Sequence, residues 1–233
     1  MSLVVTATDT EVGKTVVSAL LLHRYAGANA LYWKPIATGF DSDWDTGTVR
    51  NLGPEGALCL EEAYLFRPPV SPHLAARWAE QEIDPNRILA RHSELRARHR
   101  GRPWIIEGIG GLLVPLRDDS TLLVDLLVAL GLPCVLVASS QLGTINHTLL
   151  SLEAMRARGL EVAGVVLNGP RNEDNREAIE RFGEVSIIAE VEPMEPLERA
   201  TLAEQCVRFD PSGILERYLF PTLQWAPGSG LTS

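Results

Sequence analysis

The chain has 233 residues, of which 45% are hydrophobic and 22% charged, with a formal net charge of −9. That is enough apolar material for the core of one large α/β domain. The acid excess argues against general nucleic-acid binding and against attachment to an anionic membrane.

Three cysteines, Cys59, Cys134 and Cys206, fit no metal or redox spacing, so a reducing, cytoplasmic compartment is expected. Cys134 lies in an apolar run and should be a buried thiol. The first residues lack a basic region followed by a long apolar core, so no signal peptide is expected. The most apolar region, 122–138, is interrupted by Asp125, Gly131 and Pro133. It reads as helix, break and strand rather than a membrane span.

Leu3-Val4-Val5 reads as a first strand and 16–22 as a helix. Between them runs Ala7-Thr8-Asp9-Thr10-Glu11-Val12-Gly13-Lys14-Thr15. A loop ending Gly-Lys-Thr between strand and helix is the setting of a phosphate-binding loop. Free N–H groups at the helix start favour an anion. Gly13 lets the backbone come close to phosphates. Lys14 reaches the β- and γ-phosphates, and the Thr15 hydroxyl suits Mg²⁺. Thr8 stands where the strict motif has glycine.

Of the 21 basic residues only Lys14 and Lys34 are lysine. A chain that uses arginine for its other cations keeps lysine where a compact ammonium is needed. Lys34 therefore joins the candidate site. It ends an expected strand over 30–36 and leads into Ala37-Thr38-Gly39. Asp41, Asp43 and Asp45 follow at alternate positions. One or two of them can ligate Mg²⁺, and the rest form a solvated acidic turn.

Residues 68–73 read as a loop and those from 74 as a helix. Asp84-Pro85 is an N-cap and first-turn proline for a helix to about 98, with Ile88, Leu89, His92 and Leu95 on one face. Its arginines, interleaved with glutamates, read as a solvated face. The strand 104–108 delivers Glu107 to a turn with Gly108, Gly110 and Gly111. A carboxylate at a strand's carboxyl end, opposite a phosphate loop, suits direct or water-mediated Mg²⁺ binding. Further on come a helix at 121–130, a strand at 133–138 and a polar loop at 139–143. Thr144 is expected to N-cap a helix to about 158, closed by Gly159. A strand at 161–167 delivers Asn168-Gly169. A helix at 173–182, a short strand at 186–188 and helices near 201–207 and 212–218 complete one domain over 1–220. Residues 221–233 should pack loosely.

Alternating strands and helices imply an α/β fold: a parallel β-sheet flanked by helices on both faces, of the P-loop nucleotide-hydrolase type. Lys14, Lys34, Glu107, Gly143 and Asn168 then share the rim beyond the strands' carboxyl ends.

The chain resembles the dethiobiotin synthetases. The segments that carry the resemblance are 8–15, Trp33-Lys34-Pro35-Ile36-Ala37-Thr38-Gly39, Ser71-Pro72-His73, 107–116, Leu142-Gly143-Thr144-Ile145-Asn146-His147 and Gly164-Val165-Val166-Leu167-Asn168. The family usually has Gly at Ala7 and Ala at Ile109. The resemblance implies an ATP-dependent ligase that takes 7,8-diaminononanoate and CO₂. The amine becomes a carbamate, ATP phosphorylates it, and the second amine closes the ureido ring.

Carried over by residue, Thr10, Lys14 and Lys34 are implied as catalytic. Thr10, Glu11, Val12, Gly13, Lys14, Thr15 and Val16 are implied to hold the nucleotide, with Glu107 and Gly110 facing them and Asn168 and Gly169 at the adenine. Thr38, Gly143, Thr144, Ile145 and Asn146 are implied to bind substrate. Thr15, Asp45 and Glu107 are implied to bind Mg²⁺. A homodimer with active sites at the subunit interface is also implied, with neither nucleic-acid nor membrane partners. The alternative is a partitioning-type regulatory ATPase of the same fold; those proteins carry a second lysine early in the loop, where this chain has Asp9.

Overall fold

The computed structural model describes residues 1–40 and 44–220. The chain opens with β1 (Ser2–Ala7), α1 (Lys14–Arg24), β2 (Leu31–Trp33), β3 (Ile36–Thr38) and α2 (Asp45–Leu52). It continues through β4 (Leu58–Leu60), β5 (Tyr64–Phe66), α3 (Pro72–Trp78), α4 (Pro85–Arg98) and β6 (Trp104–Glu107). Then come α5 (Leu123–Leu130), β7 (Cys134–Ser139), α6 (Thr144–Arg156), β8 (Val162–Asn168) and α7 (Glu173–Gly183). β9 (Ile187–Val191), α8 (Arg199–Gln205) and α9 (Glu216–Leu219) finish it.

Seven strands form one parallel sheet in the order β4-β2-β6-β1-β7-β8-β9. Helices cover both faces, as parallel strands require. The alternation of side chains along a strand divides the core in two. Val4, Leu31, Trp33, Trp104 and Ile106 face a layer containing Ile88 and Leu95 of α4 and Leu126 and Leu127 of α5. Leu3, Val5, Tyr32 and Ile105 face the layer of α1 and α2, with Leu20, Leu21, Val49 and Leu202 of α8. β1 lies in the middle of the sheet, so the loop that leaves it emerges between β6 and β7.

The expected N-cap of α4 is present: the Asp84 carboxylate accepts the Asn86 N–H at 2.9 Å, with Pro85 in the first turn. Its arginines are engaged rather than forming a bare basic patch. Arg91 and Arg98 pair with Glu94, while Arg87 and Arg96 lie over the rings of Tyr64 and Trp104. Cys134 is buried as expected, and burial pushes its thiol up to about 12. Among the described residues no helix is long and apolar enough to cross a membrane.

Three readings change. The strand expected over 30–36 stops at Trp33, because Pro35 has no N–H for the ladder. Its carbonyl instead accepts N–H groups of Ala63 and Tyr64 at 2.9 and 3.1 Å, and β3 pairs with β5 in a separate two-stranded parallel sheet. Gly143, at φ +95°, takes the N-cap position expected of Thr144, which becomes the first helical residue. The helix expected near 212–218 shrinks to α9, because the Asp210 carboxylate takes the N–H groups of Ile214 and Leu215, both at 2.8 Å. Asp45, the one of the three spaced acids carried into the candidate metal set, is the first residue of α2. Asp41, Asp43 and the tail 221–233 lie outside the described residues.

Candidate active site

The phosphate loop follows β1. Glu11 and Gly13 both have left-handed backbone, at φ +59° and +95°. Left-handed residues in such a loop turn amide groups towards a common concavity suited to anions. At Gly13 the conformation also has a steric cause: a Cβ there would sit 2.2 Å from Asn168 Nδ2. Asn168, at the end of β8, donates that amide to the Val12 carbonyl at 3.0 Å. Thr10 N–H is held by the Asp9 carboxylate at 2.7 Å, and Lys14 Nζ donates to the Asp9 carbonyl at 3.0 Å. The turn after β6 lies against the loop entrance, since a Cβ on Gly111 would be 3.2 Å from the Thr8 carbonyl.

The charged centre lies beside this loop. Glu107 ends β6 and is fully buried. Its Oε1 accepts from Lys34 Nζ at 2.8 Å and lies 3.0 Å from Thr15 Oγ1. Its Oε2 accepts from Ser18 Oγ at 2.9 Å and from Tyr32 OH at 3.0 Å. Lys34 Nζ also pairs with Asp45 Oδ2 at 2.7 Å, and Thr15 Oγ1 donates to Asp45 Oδ1 at 2.7 Å. Burial alone would lower the Lys34 pKa, but the Glu107 and Asp45 charges and hydrogen bonds overcome it and raise the value above the ordinary one. Burial works against the Asp45 charge too, yet Lys34 and Thr15 hold its carboxyl below the usual range. Lys14 lacks such compensation. Burial and then the charge of Lys34 bring it down to about 8, against smaller opposing effects from Glu107, Asp45 and Asp9. Burial and the Glu107 charge keep the Tyr32 phenol protonated.

One hydroxyl and two carboxylates thus converge, an all-oxygen donor set that suits a hard cation. Among the described residues no group of three or more His, Cys, Asp or Glu could hold a metal. Mg²⁺ does not need one, because it usually takes one or two carboxylates with substrate phosphates and water.

The sequence-expected residues fall into three groups. Thr15, Lys34, Asp45 and Glu107 meet directly, and Lys14 lies near enough for the charges of Lys34, Glu107 and Asp45 to act on it. Thr10, Glu11, Val12, Gly13 and Asn168 form or brace the loop, Val16 lies in the first turn of α1, and Gly110 belongs to the turn opposite. Gly169 follows β8, and Thr38 is a half-buried residue at the end of β3. Gly143, Thr144, Ile145 and Asn146 lie at the start of α6, which follows the neighbouring strand β7. Among the described residues no hydrogen bond joins them to the phosphate loop, and the buried Thr144 hydroxyl has no partner. Ser18 and Tyr32 were not read from the sequence. Ser18 lies one helical turn beyond Thr15, and a tyrosine inside an apolar strand needs somewhere to place its hydroxyl. Both were legible signals.

A parallel sheet with a Gly-Lys-Thr loop after its central strand and a strand-end carboxylate beside it defines a P-loop nucleotide-binding protein. The comparisons agree. A family model described as an AAA domain matches residues 1–201. A ParA family ATPase from Chlorobium tepidum superposes with a TM-score of 0.54 at 11% identity, covering 88% of this chain and 97% of that one, a likeness of fold alone.

Two relatives carry the assignment further. The ATP-dependent dethiobiotin synthetase BioD of Paramagnetospirillum magneticum is 43% identical over 85% of this chain and 91% of its own length. The protein of the same name from Nitrobacter hamburgensis is 45% identical over 87% of this chain and 91% of its own. The chain belongs to the ATP-dependent dethiobiotin synthetase family.

Proposed function

We infer that this chain, a biotin-synthesis enzyme that uses ATP, is a C–N bond-forming cyclo-ligase acting on 7,8-diaminononanoate and CO₂. One amine adds to CO₂ and loses a proton, giving a carbamate. A carbamate oxygen takes the γ-phosphoryl group of ATP, giving a mixed carbamic–phosphoric anhydride and ADP. The second amine attacks the anhydride carbon, expels phosphate and closes the ureido ring.

The observation that carries this reading is the Lys34 ammonium held between Glu107 and Asp45 beside Thr15 and the phosphate loop. Phosphoryl transfer needs positioning and neutralisation of charge more than covalent help. Lys14 and Lys34 supply fixed positive charge there, with Thr10 and Glu11 lining the loop. Thr15, Asp45 and Glu107 would hold Mg²⁺, which when bound neutralises charge on the phosphate oxygens. Asn168 and Gly169 border the adenine, and Thr38 contacts the diamine. The start of α6, Gly143 to Asn146, receives the substrate carboxylate, because free N–H groups at a helix start favour anions. It does so across the two-fold axis of a cytoplasmic homodimer.

The test is mass spectrometry of product formed from diaminononanoate, ATP, Mg²⁺ and ¹³C-bicarbonate. One heavy carbon in dethiobiotin is expected. Unlabelled product, or phosphate release that ignores the diamine, would defeat the reading.

A further inference from the structure

Asp45 reaches the charged centre from the first turn of α2, a short helix rich in poor helix formers: Asp45, Thr46, Gly47 and Thr48. No side chain caps its first turn. Something else must hold it, and the contacts lead to one residue. Glu62 lies between β4 and β5. Its Oε1 accepts the Trp44 indole N–H at 2.6 Å and also the Thr46 hydroxyl. Trp44 and Thr46 flank Asp45 in sequence, and Thr46 is fully buried. The indole lies so close to the helix that a Cβ on Gly47 would be 2.9 Å from it, and the Arg50 guanidinium covers its ring at 5.2 Å.

The same short segment also fixes Lys34. The Glu61 carbonyl accepts the Trp33 indole N–H at 3.0 Å, and Ala63 and Tyr64 donate to the Pro35 carbonyl. Trp33 and Pro35 flank Lys34 as Trp44 and Thr46 flank Asp45. Residues 61–64 therefore grip the chain beside both partners of the 2.7 Å Lys34–Asp45 pair.

We propose that Glu62 is the positioning residue for Asp45: its single oxygen Oε1, receiving the Trp44 and Thr46 donors together, sets where the Asp45 carboxylate stands relative to Thr15, Lys34 and Glu107. The inference rests on the reading of Asp45 as a Mg²⁺ ligand. It makes a specific demand, because both donors converge on one oxygen and a neutral amide can replace the carboxylate.

The experiment compares Glu62→Ala, Glu62→Gln, Trp44→Phe and Asp45→Asn by two measurements. One is the Mg²⁺ concentration giving half-maximal turnover at saturating ATP and diamine. The other is Mn²⁺ binding to the ADP complex, followed by electron paramagnetic resonance. Residues that orient a ligand typically govern about 10–100-fold in metal affinity. Glu62→Ala should raise the Mg²⁺ requirement and weaken Mn²⁺ binding about tenfold, while excess metal restores most of the turnover. Glu62→Gln should stay within about twofold of wild type, since it keeps the shared acceptor. Trp44→Phe should fall between them, and it decides the matter if Glu62→Ala does not fold.

Asp45→Asn separates the two layers of the argument. If it weakens metal binding while Glu62→Ala and Trp44→Phe do not, the positioning role is wrong and the metal reading survives. If it changes neither measurement, Asp45 is no metal ligand and both fail. Glu62→Gln falling as far as Glu62→Ala would also overturn the proposal, because charge rather than the shared acceptor would then be the operative property.

Discussion

Lys34→Met tests whether the ammonium holds two carboxylates together. Glu107 is fully buried and Asp45 is 33% exposed at its side chain, and Lys34 lies within 2.8 Å of both. Removing one partner of a buried ion pair costs about 3–5 kcal/mol, because a charge is left uncompensated. Water reaches Asp45, so the low end, about 3 kcal/mol, applies. For a chain of this size each kcal/mol lowers Tm by about 2–4 °C, giving a drop of about 6–12 °C at pH 7.5.

The pH dependence has a defined sign. In the wild type the Asp45 carboxyl is held below its ordinary value. Its contribution is present above that value and is lost only as pH falls through the depressed folded value. Without Lys34, burial still opposes the Asp45 charge but the neighbouring cation no longer holds its pKa down, so Asp45 takes up a proton more readily as pH falls and the gap in Tm should narrow between pH 7.5 and pH 5. Thermal unfolding of nucleotide-free, metal-free protein at both pH values measures it. Equal Tm at pH 7.5, or a gap that widens towards pH 5, would refute the reasoning.

Gly13→Ala should abolish the rise in Tm that ATP gives the wild type, because the new methyl meets Asn168 Nδ2 and the left-handed backbone adds about 1–3 kcal/mol of strain; an intact ATP shift counts against it. Lys14, at about 8 in the free protein, should be fully protonated once polyphosphate lies against it. ATP binding at pH 8 should then take up about half a proton, seen by calorimetry in buffers of different ionisation enthalpy and missing in Lys14→Gln. Lys14→Gln protein mixed with Thr144→Pro/Asn146→Ala protein should regain activity on subunit exchange. A heterodimer with sites shared across the interface has one intact site. Persistent inactivity in heterodimers verified by native mass spectrometry rules that arrangement out.

The fold was legible where patterns were long. The apolar runs of β1, β6, β7 and β8 and the capped helix α4 stand out from sequence alone. The three-residue strands β4 and β5 are too short to display alternation, and α2 is built from residues that disfavour helices. In the site, Lys14, Thr15 and Glu107 follow from a motif and a strand end, and Lys34 from the scarcity of lysine. Glu62 carries no such mark. It matters through an indole and a hydroxyl on another element, and that meeting exists only after the chain has folded.

The break at Lys34-Pro35 divides responsibility within the chain. Lys34 is anchored to the main sheet through Trp33, whereas Thr38 belongs to the small sheet of β3 and β5. Repacking the small sheet at Phe66, the register partner of Thr38, would shift Thr38, while the Tyr64 contact with Pro35 kept the ammonium in its seat between Glu107 and Asp45. An engineer seeking to change what meets Thr38 would redraw that appendage and leave the seven-stranded platform alone.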